Sequence, residues 1–131
     1  MAERFFILLA ALALAAVGVV LWQSVRRWQA SRIVAEADAA PDRPTLLYFW
    51  SDTCAPCRFQ QAPIIETVQA EWGDGVHLRA VDAVARSDLA AHYGVLSVPT
   101  TIVINQQGHV VARNTGVAPA AKLRQQVSAA R

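Results

Sequence analysis

The two cysteines of this chain stand three positions apart in Cys54-Ala55-Pro56-Cys57, a short Ser51-Asp52-Thr53 connection after the segment Thr45-Leu46-Leu47-Tyr48-Phe49-Trp50. That segment is apolar or aromatic nearly throughout, which suits a strand covered on both faces in a mostly parallel sheet. A helical pattern follows the cysteines. The pair is therefore expected where a central strand ends and a helix begins, so that backbone N–H groups and the helix dipole stabilise a thiolate on the first sulfur. Cys54 is the candidate nucleophile. Cys57, one turn further in, falls against the same face and deeper, placed to attack a mixed disulfide formed on Cys54, and is the candidate resolving cysteine.

Two blander roles for the cysteines compete. A zinc site needs about four ligands, and beyond this one pair only His77, His92 and His109 are on offer, spread over a strand, a helix and a hairpin. A static disulfide across so short a loop removes little unfolded-state entropy, so stapling is a weak reason for it. Redox exchange explains the pair better, and the histidines read as ordinary surface or partly buried residues.

Phe49-Trp50, then Cys54-Ala55-Pro56-Cys57, then Val98-Pro99-Thr100 resemble the thioredoxin family, over about residues 45–131. The resemblance implies an α/β thioredoxin fold, a central mixed β-sheet flanked by helices. A complete thioredoxin has an extra strand and helix before the central strand; here only a helix is available, so the first strand is expected to be missing. In the family the proline matching Pro99 has a cis peptide bond and faces the cysteines, which leaves the backbone of Val98 free to pair with an extended substrate segment. Trp50 is core by its place at the end of the strand, and its family counterpart also packs beside the active site. These implications make Cys54 and Cys57 the redox-active disulfide, and Val98, Pro99, Trp50 and Thr53 the substrate-binding residues.

Two departures from the family pattern bear on mechanism. Thr53 stands where thioredoxins often carry tryptophan, which removes part of a flat apolar docking surface. Tyr48 stands where they carry a buried acid that helps deprotonate the resolving cysteine, and a tyrosine cannot take a proton near neutral pH as a carboxylate does. Cys57 is then expected to be activated by water or by substrate docking, with slow resolution. Proline next to Cys57 resembles the reducing members, and Ala55-Pro56 supplies no charge to stabilise a thiolate. The resemblance thus implies a fairly negative potential and a thiol:disulfide oxidoreductase that reduces protein disulfides.

The hydrophobic share of 54% is high for one soluble domain, and the excess is local. Phe5 to Trp22 is a run of eighteen residues without a charge, about 27 Å as a helix, just under the thickness of a hydrocarbon core. It reads as a membrane anchor over residues 1–22. A cleaved signal peptide competes, since Arg4 precedes the run, but the run is long for that purpose and bulky, basic residues follow it; Ala35-Glu36-Ala37 and Ala37-Asp38-Ala39 have the shape of a cleavage site but lie well downstream. Trp22 and Trp28 suit the interface region. Arg26, Arg27 and Arg32 after the run put the remainder in the cytoplasm by the positive-inside rule, whereas anchored thioredoxin-like proteins of bacteria commonly work outside the cytoplasmic membrane. Both sides stay open.

Residues 23–44 read as a helical linker, with Trp28, Ile33, Val34 and Ala37 at roughly helical spacing and Ala40-Pro41-Asp42-Arg43-Pro44 breaking it. From Cys57 a helix is expected with Phe59, Ala62, Ile65, Val68 and Trp72 on its inner face, Arg58, Gln61, Glu66 and Gln69 outside, and a kink at Pro63. Gly73-Asp74-Gly75 closes it and residues 76–81 alternate as a strand, completing a βαβ unit. A short helix over 87–93, a hairpin of 100–105 and 109–113, and a last helix after Pro119 with Ala120, Leu123 and Val127 inward fill out the domain.

No organic or metal cofactor is implied: there is no GxGxxG, and the chain is too short for its own flavin or nicotinamide domain. Electrons must come from an upstream donor protein, and the substrates are disulfide-bearing proteins. A formal net charge of +2 gives no reason to expect nucleic acid. Two alternatives remain open. One is a client-specific reductase in cytochrome c maturation, although those carry an insertion after the active-site helix for which the spacing from Trp72 to Val76 leaves no room. The other is a non-catalytic thioredoxin-like binding or assembly module.

Overall fold

A computed structural model describes the backbone of residues 2–38, 40 and 42–131, and the side chains among them other than those of 2, 4, 5 and 25–38. Two compact units emerge, residues 1–31 and 32–131. The first is helical, and α1 is assigned to Ala2–Asp38. Within it Phe6–Ser24 is long and apolar enough to cross a membrane, with none of the stretch buried; a signal sequence passes the same test. Phe6, Leu8, Leu14 and Trp22 are all more than half exposed, which water does not favour for so continuous an apolar surface. The stripe of Trp28, Ile33, Val34 and Ala37, the Arg26, Arg27 and Arg32 side chains, and Pro41 lie outside the described residues.

The second unit is built on β1 (Thr45–Trp50), β2 (His77–Asp82), β3 (Thr100–Ile104) and β4 (Val110–Thr115), in the order β2-β1-β3-β4. Among the described residues these four are the strands. Only β1 and β2 are parallel; β1 with β3 and β3 with β4 are antiparallel, so the sheet is mixed rather than mostly parallel. The expectation of a strand buried on both faces holds for β1 all the same, because helices cover both sides. Leu46 and Tyr48 point to the layer of α2 (Ala62–Trp72) and α4 (Ala120–Ala129), joining Ile65, Val68, Leu123 and Val127. Leu47 and Phe49 point the other way, to α3 (Ser87–His92), joining Leu89, Ala90 and Tyr93. Strand alternation thus feeds two cores from one six-residue run.

The kink expected at Pro63 takes a specific form. Proline has no N–H to give and clashes with the carbonyl four residues back. Cys57–Gln61 accordingly winds as a π-helix before α2 begins, with the Ala62 N–H reaching the Cys57 carbonyl five residues back. Two inner-face assignments change with it. Phe59 is 74% exposed and Gln61 fully buried, the reverse of the expectation. Phe59 lies six residues before Ile65, about 120° round a helix of 3.6 residues per turn, whereas Cys57, Gln61, Ile65, Val68 and Trp72 recur every three or four residues on one side. Gly73 ends α2 with φ 52°, a backbone conformation that side-chain-bearing residues rarely adopt, and a single 3₁₀ turn leads straight into β2. β2 begins at His77, with Val76 buried just before it, and β4 starts one residue later than expected and runs on to Thr115.

The register decides where loops gather. Trp50 pairs with Asp82, Phe49 with Thr100 and Thr100 with Thr115, so the ends of β1, β2 and β4 and the start of β3 share one edge of the sheet. The Cys54 loop and the Pro99 loop emerge there together, the usual position for a site in an open α/β sheet.

Candidate active site

Beyond Trp50 the chain turns tightly. The Cys54 N–H donates to the Ser51 carbonyl at 3.2 Å, and the Arg58 N–H returns to the Cys54 carbonyl at 3.3 Å, so the first cysteine sits at the mouth of the helical stretch. Cys54 and Cys57 are joined in a disulfide. The two sulfurs are not equivalent. Cys54 is 9% exposed and Cys57 only 1%, so a bulky partner can meet only the first. The Cys57 N–H points at Cys54 Sγ, 3.2 Å away. That donor, at a helix N-terminus, favours negative charge on Cys54 once the disulfide opens.

Below the pair, Tyr48 is buried on β1, and its hydroxyl donates to the Cys57 carbonyl at 3.0 Å. Burial raises the Tyr48 hydroxyl above its ordinary value, so it remains a neutral donor at physiological pH. Asp52 is exposed in the loop. Among the described residues the buried polar side chains are Thr45, Ser51, Gln61, Thr100, Thr101 and Asn114, none of them a carboxylate.

The other residues singled out from the sequence fall around this pair. Trp50 and Val98 are half-buried against the cluster holding both cysteines, and Thr53 is exposed on the loop. The Val98–Pro99 peptide bond is cis. Pro99 is buried and its carbonyl accepts from the Gly116 N–H at 2.8 Å, while Thr100 Oγ1 donates to the Ser97 carbonyl at 2.7 Å, which pins the loop to the end of β4. His77 and His109 are exposed, and His92 stands edge-on to the ring of Tyr93 at 5.3 Å. Among the described residues no three His, Cys, Asp or Glu side chains group as metal ligands would.

Gln61 is the residue that the pattern concealed. Its amide donates to the Ala118 carbonyl at 3.2 Å and accepts from the Ala118 N–H at 2.7 Å, tying the π turn to the loop between β4 and α4. Its signal was its spacing: four residues after Cys57 and four before Ile65, a polar residue in line with an apolar stripe.

The thioredoxin family model matches residues 29–129. The chain belongs to the thioredoxin family. It is 37% identical to a thioredoxin of Streptomyces clavuligerus over 89 residues, covering 67% of this chain and 80% of the relative. It is 34% identical to thioredoxin C-2 of Corynebacterium nephridii over 82 residues, 63% of this chain and 74% of the relative. The crystal structure of Fasciola hepatica thioredoxin superposes with a TM-score of 0.62 at 28% identity, covering 75% of this chain and 88% of that one. With the close Cys54–Cys57 pair in the family's fold, this member of the family is a thiol:disulfide oxidoreductase, with disulfides as substrates and reductant partners.

Proposed function

We propose that this thioredoxin-family protein is a membrane-anchored reductase of protein disulfides, with Cys54 as nucleophile and Cys57 as resolving residue. The observation that carries the reading is the asymmetry of the pair: one sulfur at the rim with an N–H donor aimed at it, the other sealed beneath. In the reduced enzyme the Cys54 thiolate attacks a substrate disulfide, forming a Cys54–substrate bond and expelling one substrate thiolate. The Cys57 thiolate then attacks Cys54 Sγ, closing the internal disulfide and expelling the second. Two electrons pass to the substrate, each of whose sulfurs ends as a thiol, and a donor protein returns two electrons to the pair. Val98, Pro99, Trp50 and Thr53 line the face on which the substrate segment lies.

Residues 1–22 serve as the anchor, 23–44 as the juxtamembrane linker and 45–131 as the catalytic domain, held at the bacterial cytoplasmic membrane and facing out of the cytoplasm. The direct passage from α2 through Gly73–Gly75 into β2 favours a general reductase over one built with a client-binding insertion at that point.

Trapping tests the chemistry. Cys57→Ser is expected to accumulate mixed disulfides through Cys54, while the wild type accumulates none; a binding module would leave the two alike. In glutathione titration the pair is expected to poise with reducing members of the family, and a potential like that of strong oxidants would reverse the direction proposed.

A further inference from the structure

Resolution requires Cys57 Sγ to approach Cys54 Sγ from beneath while Cys54 is bonded to substrate, so whatever fixes the Cys57 backbone governs this step. Its carbonyl opens the π turn and receives two donors, the Ala62 N–H and the Tyr48 hydroxyl. Tyr48 is on β1, paired with Ala80 of β2 on one side and Thr101 of β3 on the other, with 6% exposure. Its hydroxyl is therefore carried by an interior strand of the sheet. One turn on, Gln61 clamps the far end of the same π turn to Ala118. A π turn is rare and mostly occurs as a single widened turn, and here it is braced from outside at both ends.

We propose that Tyr48 is a positioning residue of disulfide exchange, whose hydroxyl holds the Cys57 carbonyl so that Cys57 Sγ stays in line with Cys54 Sγ. This rests on the dithiol cycle above. In the step, an electron pair of the Cys57 thiolate forms the Cys57–Cys54 bond, the Cys54–substrate bond breaks, and its electrons leave on the substrate sulfur, which takes a proton from water. The cysteine pair is oxidised and the substrate reduced. Tyr48 neither gains nor loses a proton. The charged neighbours of the pair in the chain, Asp52 and Arg58, are exposed.

Tyr48→Phe removes one hydroxyl, keeps the apolar volume and leaves the carbonyl its bond from Ala62. Tyr48→Met, read the same way, is the second variant. Full-length chain in detergent micelles is mixed in a stopped-flow instrument with a cystine peptide carrying a different fluorophore on each half; the first half leaves on attack and the second on resolution. Resolution is expected to slow about fivefold relative to attack, the size of one lost hydrogen bond, with the midpoint of its pH profile unchanged. A resolution rate equal to wild type would reduce the bond to scaffolding and overturn the proposal. A shifted midpoint at an unchanged plateau rate would overturn it too, because Tyr48 would then act on the Cys57 proton. If Cys57→Ser captures no peptide at all, it is the dithiol cycle that fails, whatever Tyr48 does.

Discussion

Gln61 shows how one buried amide can hold two segments fifty-seven positions apart. Ala118 is 1% exposed, so neither its N–H nor its C=O has water to turn to. Gln61→Ala leaves both without their partner and opens a void, a loss on the order of 3 kcal/mol, or about 10–20 °C in a domain of this size. Thermal melts of the oxidised protein measure it. A fall of a degree or two would mean that the loop relaxes to pair elsewhere. Phe59 is the opposite case: an exposed ring with the Arg58 guanidinium 5.6 Å from its centre, an apolar side chain that its helical phase turns away from the core.

Helix α2 lies against α4, and an ion pair joins their outer surfaces. Arg124 Nε and Nη2 donate to the two carboxylate oxygens of Glu71 at 2.7 and 2.6 Å. The hydrogen bonds from Arg124 hold Glu71 below its ordinary 4.5, despite a smaller opposing effect of desolvation. A carboxylate lowered in the folded state adds stability above its unfolded value, and that stability is lost as pH falls through the lower folded one. Exposure keeps the effect small. Glu71→Gln is therefore expected to melt slightly below wild type near pH 7, with the gap closing as pH falls below 4.5; a gap of constant size would assign it to packing. The same helix explains a limit of pattern reading. Its length and Gly73 stop were legible, but its phase near Cys57 depends on how a proline disturbs the preceding turn.

The chain's apolar stretch Phe6–Ser24 and its separate α/β unit carry the largest prediction. In detergent partitioning the full chain is expected with the detergent and a chain lacking residues 1–22 in water. In intact cells, after chemical reduction, a membrane-impermeant thiol reagent is expected to label Cys54, the outcome that the proposed outward orientation requires. Labelling only after lysis would place it inside, with the arginines after the apolar run as the deciding charges.

Local chemistry made most of this chain readable from its residues. An apolar run names a strand, Cys54-Ala55-Pro56-Cys57 with Val98-Pro99 names the family, and glycines and prolines mark where elements stop, because each depends on neighbours a few positions away. The mixed direction of the sheet, the buried place of Gln61 and the bond from Tyr48 to the Cys57 carbonyl depend on partners brought near only by folding. A strand of given sequence can pair in either direction, and a polar side chain can face inward wherever the fold supplies its complement. Those partners lie nine to fifty-seven positions away along the chain, beyond the reach of helical or strand periodicity.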